Sequence, residues 1–178
     1  MTNTMLNHLV TKPNNKQTIN EIIDFVGNSP ALFAALMDCF VNGTSRVSQT
    51  TSWALSHIGK QHAELIAPYH TTLLLQLQDK TKIGAVRRNV VRIYQTCPIP
   101  PEIEGELYEA CMSYMLDPKE AIAIKAFSMT VCERIANRYT DLIPELIDAI
   151  QRILPTGSSG IKNRGMHTIK RLTKKTLR

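Results

Sequence analysis

The sequence predicts an all-α fold, a solenoid of about four helical hairpins repeating roughly every 38 residues. Three observations lead there. Apolar residues recur at helical spacing: Leu107, Cys111, Met112 and Met115 form one stripe, and Leu146, Ile147, Ile150 and Leu154 another, while strand-like alternation is missing over any useful length. Shifting the chain by 38 positions aligns Leu36 with Leu74, Met112 and Ile150, and Cys39 with Leu77, Met115 and Ile153. In the same register Asp79 falls on Asp117, and Leu65-Ile66-Ala67 before Pro68 falls near Asp141-Leu142-Ile143 before Pro144, two periods on. A single hairpin cannot bury its apolar face alone, whereas stacked hairpins share one continuous core.

The elements follow in order. Residues 1–17 are polar and rich in Asn and Thr, which predicts a flexible tail. Residues 18–178 are then expected to form one domain, as the 178-residue length suits. A leading helix spans about Thr18 to Val26, with Thr18 and Glu21 spaced as a capping box. A first hairpin pairs Pro30–Val41 with Ser45–His62, and Asn42-Gly43 makes the turn. The next three hairpins pair an A helix with a B helix. They are Tyr69–Gln78 with Lys82–Thr96, Glu106–Leu116 with Lys119–Arg138, and Glu145–Leu154 with Gly160–Lys175. Asp117-Pro118 and Gly157-Ser158-Ser159 supply turns.

Composition narrows the function. Hydrophobic residues are 43% of the chain and aromatics only 6%, so the core is aliphatic, and Trp53 is the single tryptophan. No run of about 18 apolar residues could span a membrane. The polar start lacks the features of a secretory signal, so a cytoplasmic location is expected. Cys39, Cys97, Cys111 and Cys132 form no C-x-x-C pair and are read as free core thiols. His57 and His62 are five apart, a poor angle for sharing one metal ion. The glycines around Ser158-Ser159 follow no strand, and Lys162 is followed by Asn163, so they are a turn and not a phosphate loop. No nucleophile–base–acid set stands out among His57, His62, His70 and His167. The chain is therefore read as non-enzymatic, without metal or cofactor.

The formal charge of +6 is unevenly placed. Ser159 to Arg178 holds seven of the 21 basic residues and no acidic one, while the remainder carries 14 basic and 15 acidic side chains. Lys170, Arg171, Lys174 and Lys175 are spaced to share one helix side, and Ile161, Ile169 and Leu172 supply a docking stripe. This predicts a C-terminal basic helix with an anionic partner site.

The B helices begin alike, with Val47-Ser48, Val86-Arg87, Ile124-Lys125 and Ile161-Lys162. Asp79 and Asp117 precede two of these pairs. An Asp in the turn followed by an apolar-basic pair resembles HEAT repeats, although Ser48 breaks the basic column and the fourth copy lacks the Asp. The phrases Ala85-Val86-Arg87-Arg88-Asn89, Ile124-Lys125-Ala126-Phe127-Ser128-Met129-Thr130 and Ser158-Ser159-Gly160-Ile161-Lys162-Asn163-Arg164-Gly165 are similar to a group of short bacterial HEAT-like proteins of unassigned function. The resemblance implies a right-handed α-α superhelix. In such a solenoid the B helices form the partner surface. Arg87, Arg88, Arg92, Lys125 and Lys162 are its expected basic studs, with Arg87, Lys125 and Lys162 in one row. Trp53 is either a core residue or a lining residue of that groove.

Two functional readings follow. One is a protein-binding scaffold, its partner bearing an acidic surface. The other is nucleic-acid binding, on a resemblance to HEAT-like DNA-alkylation-repair glycosylases. The slight acidic excess outside the tail speaks against a broad duplex groove.

Overall fold

Small polar side chains set the helix boundaries of the N-terminal half. The computed structural model describes residues 2–176, and among them there are helices and turns but no strand. The chain divides into two compact units, Met1–Pro98 and Ile99–Arg178.

The first unit comprises α1 (Thr2–Thr11), α2 (Lys16–Val26), α3 (Pro30–Asn42), α4 (Ser45–Gln61), the short α5 (Ala63–Ile66), a 3-10 turn (Ala67–Tyr69), α6 (His70–Gln78) and α7 (Gly84–Ile93). The expected N-terminal tail is corrected here: α1 is a helix, and its Leu6, Leu9 and Val10 are buried against α2, α3 and α4. Three apolar residues at i, i+3 and i+4 outweighed the polar composition around them. The expected capping box is also displaced. Asn15 caps α2 by accepting from the Thr18 N–H at 2.9 Å, and Thr18 is itself buried in the helix. Ser29 and Thr44 cap α3 and α4 in the same way. Gly27, at φ 52°, ends α2 in the left-handed region that glycine tolerates best.

Helix α4 is the centre of this unit, packed by α1, α2, α3, α5 and α7. Neighbours on several sides favour small side chains: beside Leu55 and Ile58, Ser48, Thr50, Thr51, Ser52, Ala54, Ser56 and Gly59 are all buried. Most of the hydroxyls are satisfied within the unit: Ser48 donates to the Phe40 carbonyl and Thr51 to the Val47 carbonyl, each at 2.8 Å. Bonds to α7 and its end tie successive hairpins together. Asn89 Nδ2 donates to Ser52 Oγ at 3.0 Å, and Cys97 Sγ to the Gly59 carbonyl at 3.0 Å. Their separations of 37 and 38 residues are the repeat period expressed as contacts.

The second unit comprises α8 (Pro101–Leu116), α9 (Ile122–Ala136), a 3-10 turn (Thr140–Leu142), α10 (Ile143–Ile153) and α11 (Ser159–Thr176). Helix α9 is its centre, packed by α8, α10 and α11. Helix α8 starts at Pro101 and not at Glu106, because proline suits the first helical position and Gly105 sits in open space. Helix α11 buries Ile161, Gly165, Thr168 and Leu172 as one stripe. At Gly165 a Cβ would lie 2.8 Å from Ile150 Cγ2 and from Leu154 Cδ2, so α10 approaches closer than any side chain would allow.

The repeat register holds at the aligned A-helix positions. Leu36, Leu74, Met112 and Ile150 are all buried, in α3, α6, α8 and α10. Asp79 Oδ1 accepts from the Thr81 N–H, and Asp117 Oδ1 from the Lys119 N–H, both at 2.8 Å. The two aspartates thus shape equivalent turns. These turns consume the residues up to Ile83 and Ala121, so α7 and α9 start later than the expected Lys82 and Lys119.

Candidate functional site

Burial on most sides leaves α4 a narrow open edge: Arg46, Gln49, Trp53, His57 and Lys60 recur there at three- and four-residue steps and are half-buried or exposed. Trp53 Nε1–H donates to His57 Nε2 at 3.1 Å. That bond needs His57 neutral, with Nε2 as acceptor. The surroundings favour that state: burial, then the charges of Arg92 and Lys60, hold the His57 pKa below its ordinary value of 6.5. Helix α7 packs along α4, with Arg92 near enough to His57 to act on its charge. Arg88 and Arg92, one turn apart, are both exposed on α7.

Arg87 does not join them. It is half-buried, and its Nη1 donates to the Lys82 carbonyl at 2.8 Å in the turn before α7. One residue turns a helix by about 100°, which separates Arg87 from the Arg88–Arg92 edge. Lys125 and Lys162 belong to the second unit. Lys125 is half-buried in a groove it shares with Leu116, Ile122, Arg152 and Ile161, and Lys162 is exposed on α11.

The basic run of α11 divides into two sets, where the spacing predicted one. Arg164 Nη1 donates to Thr130 Oγ1 at 2.6 Å. Arg171 Nε and Nη2 donate to the two oxygens of Glu133 at 2.5 and 2.7 Å, with Thr168 Oγ1 bonding the same carboxylate at 3.3 Å. Lys175 Nζ donates to the Asn137 carbonyl. These three cations hold α11 to α9. The hydrogen bonds that Arg171 donates to Glu133 raise its pKa further, against a smaller opposing effect of burial. Lys170 and Lys174 are exposed without sharing in that contact, and His167 and Met166 are exposed beside them. Sequence reasoning had a signal for this division: Glu133 and Asn137 each lie 38 residues, one period, before Arg171 and Lys175.

The B-helix edges carry one sign of charge. No Asp or Glu occurs in α4, α7 or α11. The single acidic residue of α9, Glu133, is buried and ion-paired with Arg171.

The A-helix side of the second unit holds a feature that the sequence pattern did not announce. Pro101, Glu104, Gly105, Tyr108, Glu109 and Met112 of α8 line one side of a cleft. Tyr139, Asp141, Leu142 and Glu145 line the other. Glu104 is only 2% exposed and is ion-paired with Arg138. Tyr108 Oη donates to Glu145 Oε2 at 3.5 Å. Burial first, then Cys132 and Glu145, pushes the Tyr108 hydroxyl pKa well up, so it stays a donor.

All four cysteines are free; Cys97, Cys111 and Cys132 are buried, and Cys39 is half-buried. Burial holds the Cys132 thiol well above the usual range, in the unreactive form. Among the described residues, no three His, Cys, Asp or Glu side chains are grouped so as to hold a metal ion. No helix among them is long and apolar enough to cross a membrane.

A family model described as a HEAT repeat domain matches residues 6–176, from within α1 to the end of α11. No curated protein and no solved structure matches the chain.

Proposed function

Because the chain belongs to the HEAT repeat domain family, we propose that it is a non-enzymatic scaffold holding a protein partner with an acidic surface along the open edges of its B helices. In the first unit these edges are those of α4 and α7, and in the second those of α9 and α11. The observation that carries this reading is the charge of those helices: the one acidic side chain among them, Glu133, is buried and paired. A surface of one sign steers and orients a partner of the other. The first unit adds an anchor. Trp53 is half-buried, with its only polar hydrogen satisfied by His57, and Arg92 is near enough to His57 to act on its charge. Tryptophan and arginine are the side chains that most often dominate binding hot spots. Lys162, Lys170 and Lys174 supply the outward charge in the second unit.

Nucleic acid is the competing occupant of the same edges. Arg164, Arg171 and Lys175 are three of the six cations of α11 and are already turned to α9, which leaves few to neutralise a run of phosphates. The test is affinity capture from the cells that make the protein, using the parent and a Trp53→Ala/Arg92→Glu variant. The reading expects an acidic protein held by the parent and lost by the variant, at unchanged thermal stability. Identical captures by both would contradict it. So would a gel shift of random duplex DNA by the parent at physiological salt.

A further inference from the structure

We infer that the acidic cleft on the A-helix side of the second unit is a separate binding site, which takes lysine or arginine side chains from a basic segment of another protein. Four carboxylates border it, those of Glu104, Glu109, Asp141 and Glu145, and among the described residues no lysine or arginine lines it. A concave site of one sign concentrates the opposite charge. The deepest of the four is incompletely satisfied. Glu104 gives one oxygen to Arg138, while its other, Oε2, is buried without a hydrogen-bond partner among the described residues. A buried carboxylate oxygen left without a donor is costly, and a charged donor is its best complement. Glu104 lies one turn from Pro101 and one from Tyr108 on the face of α8 that lines the cleft, so its carboxylate is part of the wall that an entering donor meets.

The walls select the kind of cation. Tyr139, 47% exposed, offers a ring face at the rim, and Met112, Ile135 and Leu142 supply apolar lining. An aromatic face and an apolar wall suit a charged head on a methylene stem. A bare metal ion fits less well, because no three carboxylates, histidines or cysteines are grouped for one among the described residues. Four carboxylates with a single paired guanidinium exceed what one incoming cation balances. The ligand is therefore a segment with neighbouring basic residues. This site is independent of the B-helix edges, which carry the opposite charge.

The test titrates the full chain with an acetylated, amidated hexa-arginine peptide, following backbone amide shifts by NMR at physiological salt. Shifts should concentrate in residues 101–112 and 135–145. An Asp141→Asn/Glu145→Gln variant should bind about tenfold more weakly, a loss of the size of one charged contact, and Tyr139→Ala several-fold more weakly. Arg92→Glu and Lys170→Glu should leave this binding intact, which separates it from the scaffold reading. The inference is overturned if shifts spread over all acidic surface or if the double variant binds as well as the parent. It also fails if magnesium chloride reproduces the shifts. Self-association of the parent that the double variant abolishes would assign the cleft to a second copy and overturn it equally.

Discussion

The Trp53–His57 hydrogen bond makes the first unit sensitive to pH at a single pair of side chains. Protonating His57 turns Nε2 from acceptor into donor and breaks the bond from the indole. The folded His57 pKa lies below 6.5, so between that value and 6.5 the unfolded chain binds more protons. Stability from this residue is complete above 6.5 and falls as pH drops through that window. Trp53 fluorescence should therefore titrate with a midpoint below 6.5, and the transition should vanish in His57→Gln. In Arg92→Gln the midpoint should move up towards 6.5, since a repelling charge is gone. A flat profile from pH 7.5 to 5 would show that the pair is not coupled. Arg171 makes the complementary case. Its head is half exposed, but it covers the buried carboxylate of Glu133. Arg171→Met should cost about 1–3 kcal/mol in denaturant unfolding, mostly from stranding that carboxylate. In a Glu133→Gln background the same change should cost much less. Of these residues only identity and spacing could be read beforehand. Trp53 remained open between core and groove because burial of a single aromatic depends on the neighbouring helices: it is partly buried on α4, with its indole N–H spent on His57. Arg171 and Lys175 read as outward because spacing along one helix does not name the neighbouring helix.

At the scale of single elements, α11 shows how one basic helix serves two purposes. Its inner cations anchor it to α9, and its outer lysines stay in solvent. Reversing Lys170 and Lys174 together, as Lys170→Glu/Lys174→Glu, should leave the melting temperature close to the parent's. It should weaken capture of an acidic partner and reduce the salt dependence of that binding. A large fall in stability would mean that the two lysines are structural after all. The packing of α11 on α10 depends on Gly165. Gly165→Val would press into Ile150 and Leu154 and should cost about 1–3 kcal/mol, as overpacking does. A neutral result in thermal unfolding would argue that α11 docks loosely. Helix α1 is the element that composition misjudged. Asn and Thr mark a tail on average, but Leu6, Leu9 and Val10 fall on one face, and burial of that face decides. The start of α8 was missed for a related reason, since Gly105 interrupts a pattern that Ile103 and Leu107 continue on either side.

Across the whole molecule, the period of about 38 residues was legible because burial repeats with it. The aligned A-helix residues are core residues, and the hydrogen bonds that join hairpins span 34 to 41 residues. The proposed binding surface was less legible, because it rests on which cations are used internally and which are not, and that is decided by contacts one period away. The division of charge is the broad result: the B helices are basic, and six of the ten acidic residues of the second unit lie on α8 and α10. The measurement that tests the scaffold reading most directly is site-specific photo-crosslinking in the native cell. A benzophenone side chain is placed at Gln49 or Asn163 on the B-helix edges, or at Glu102 on α8. The account predicts that Gln49 and Asn163 crosslink to the same acidic protein, and that Glu102 does not. Crosslinks to that protein from Glu102 alone, or to nucleic acid from Gln49 and Asn163, would contradict it.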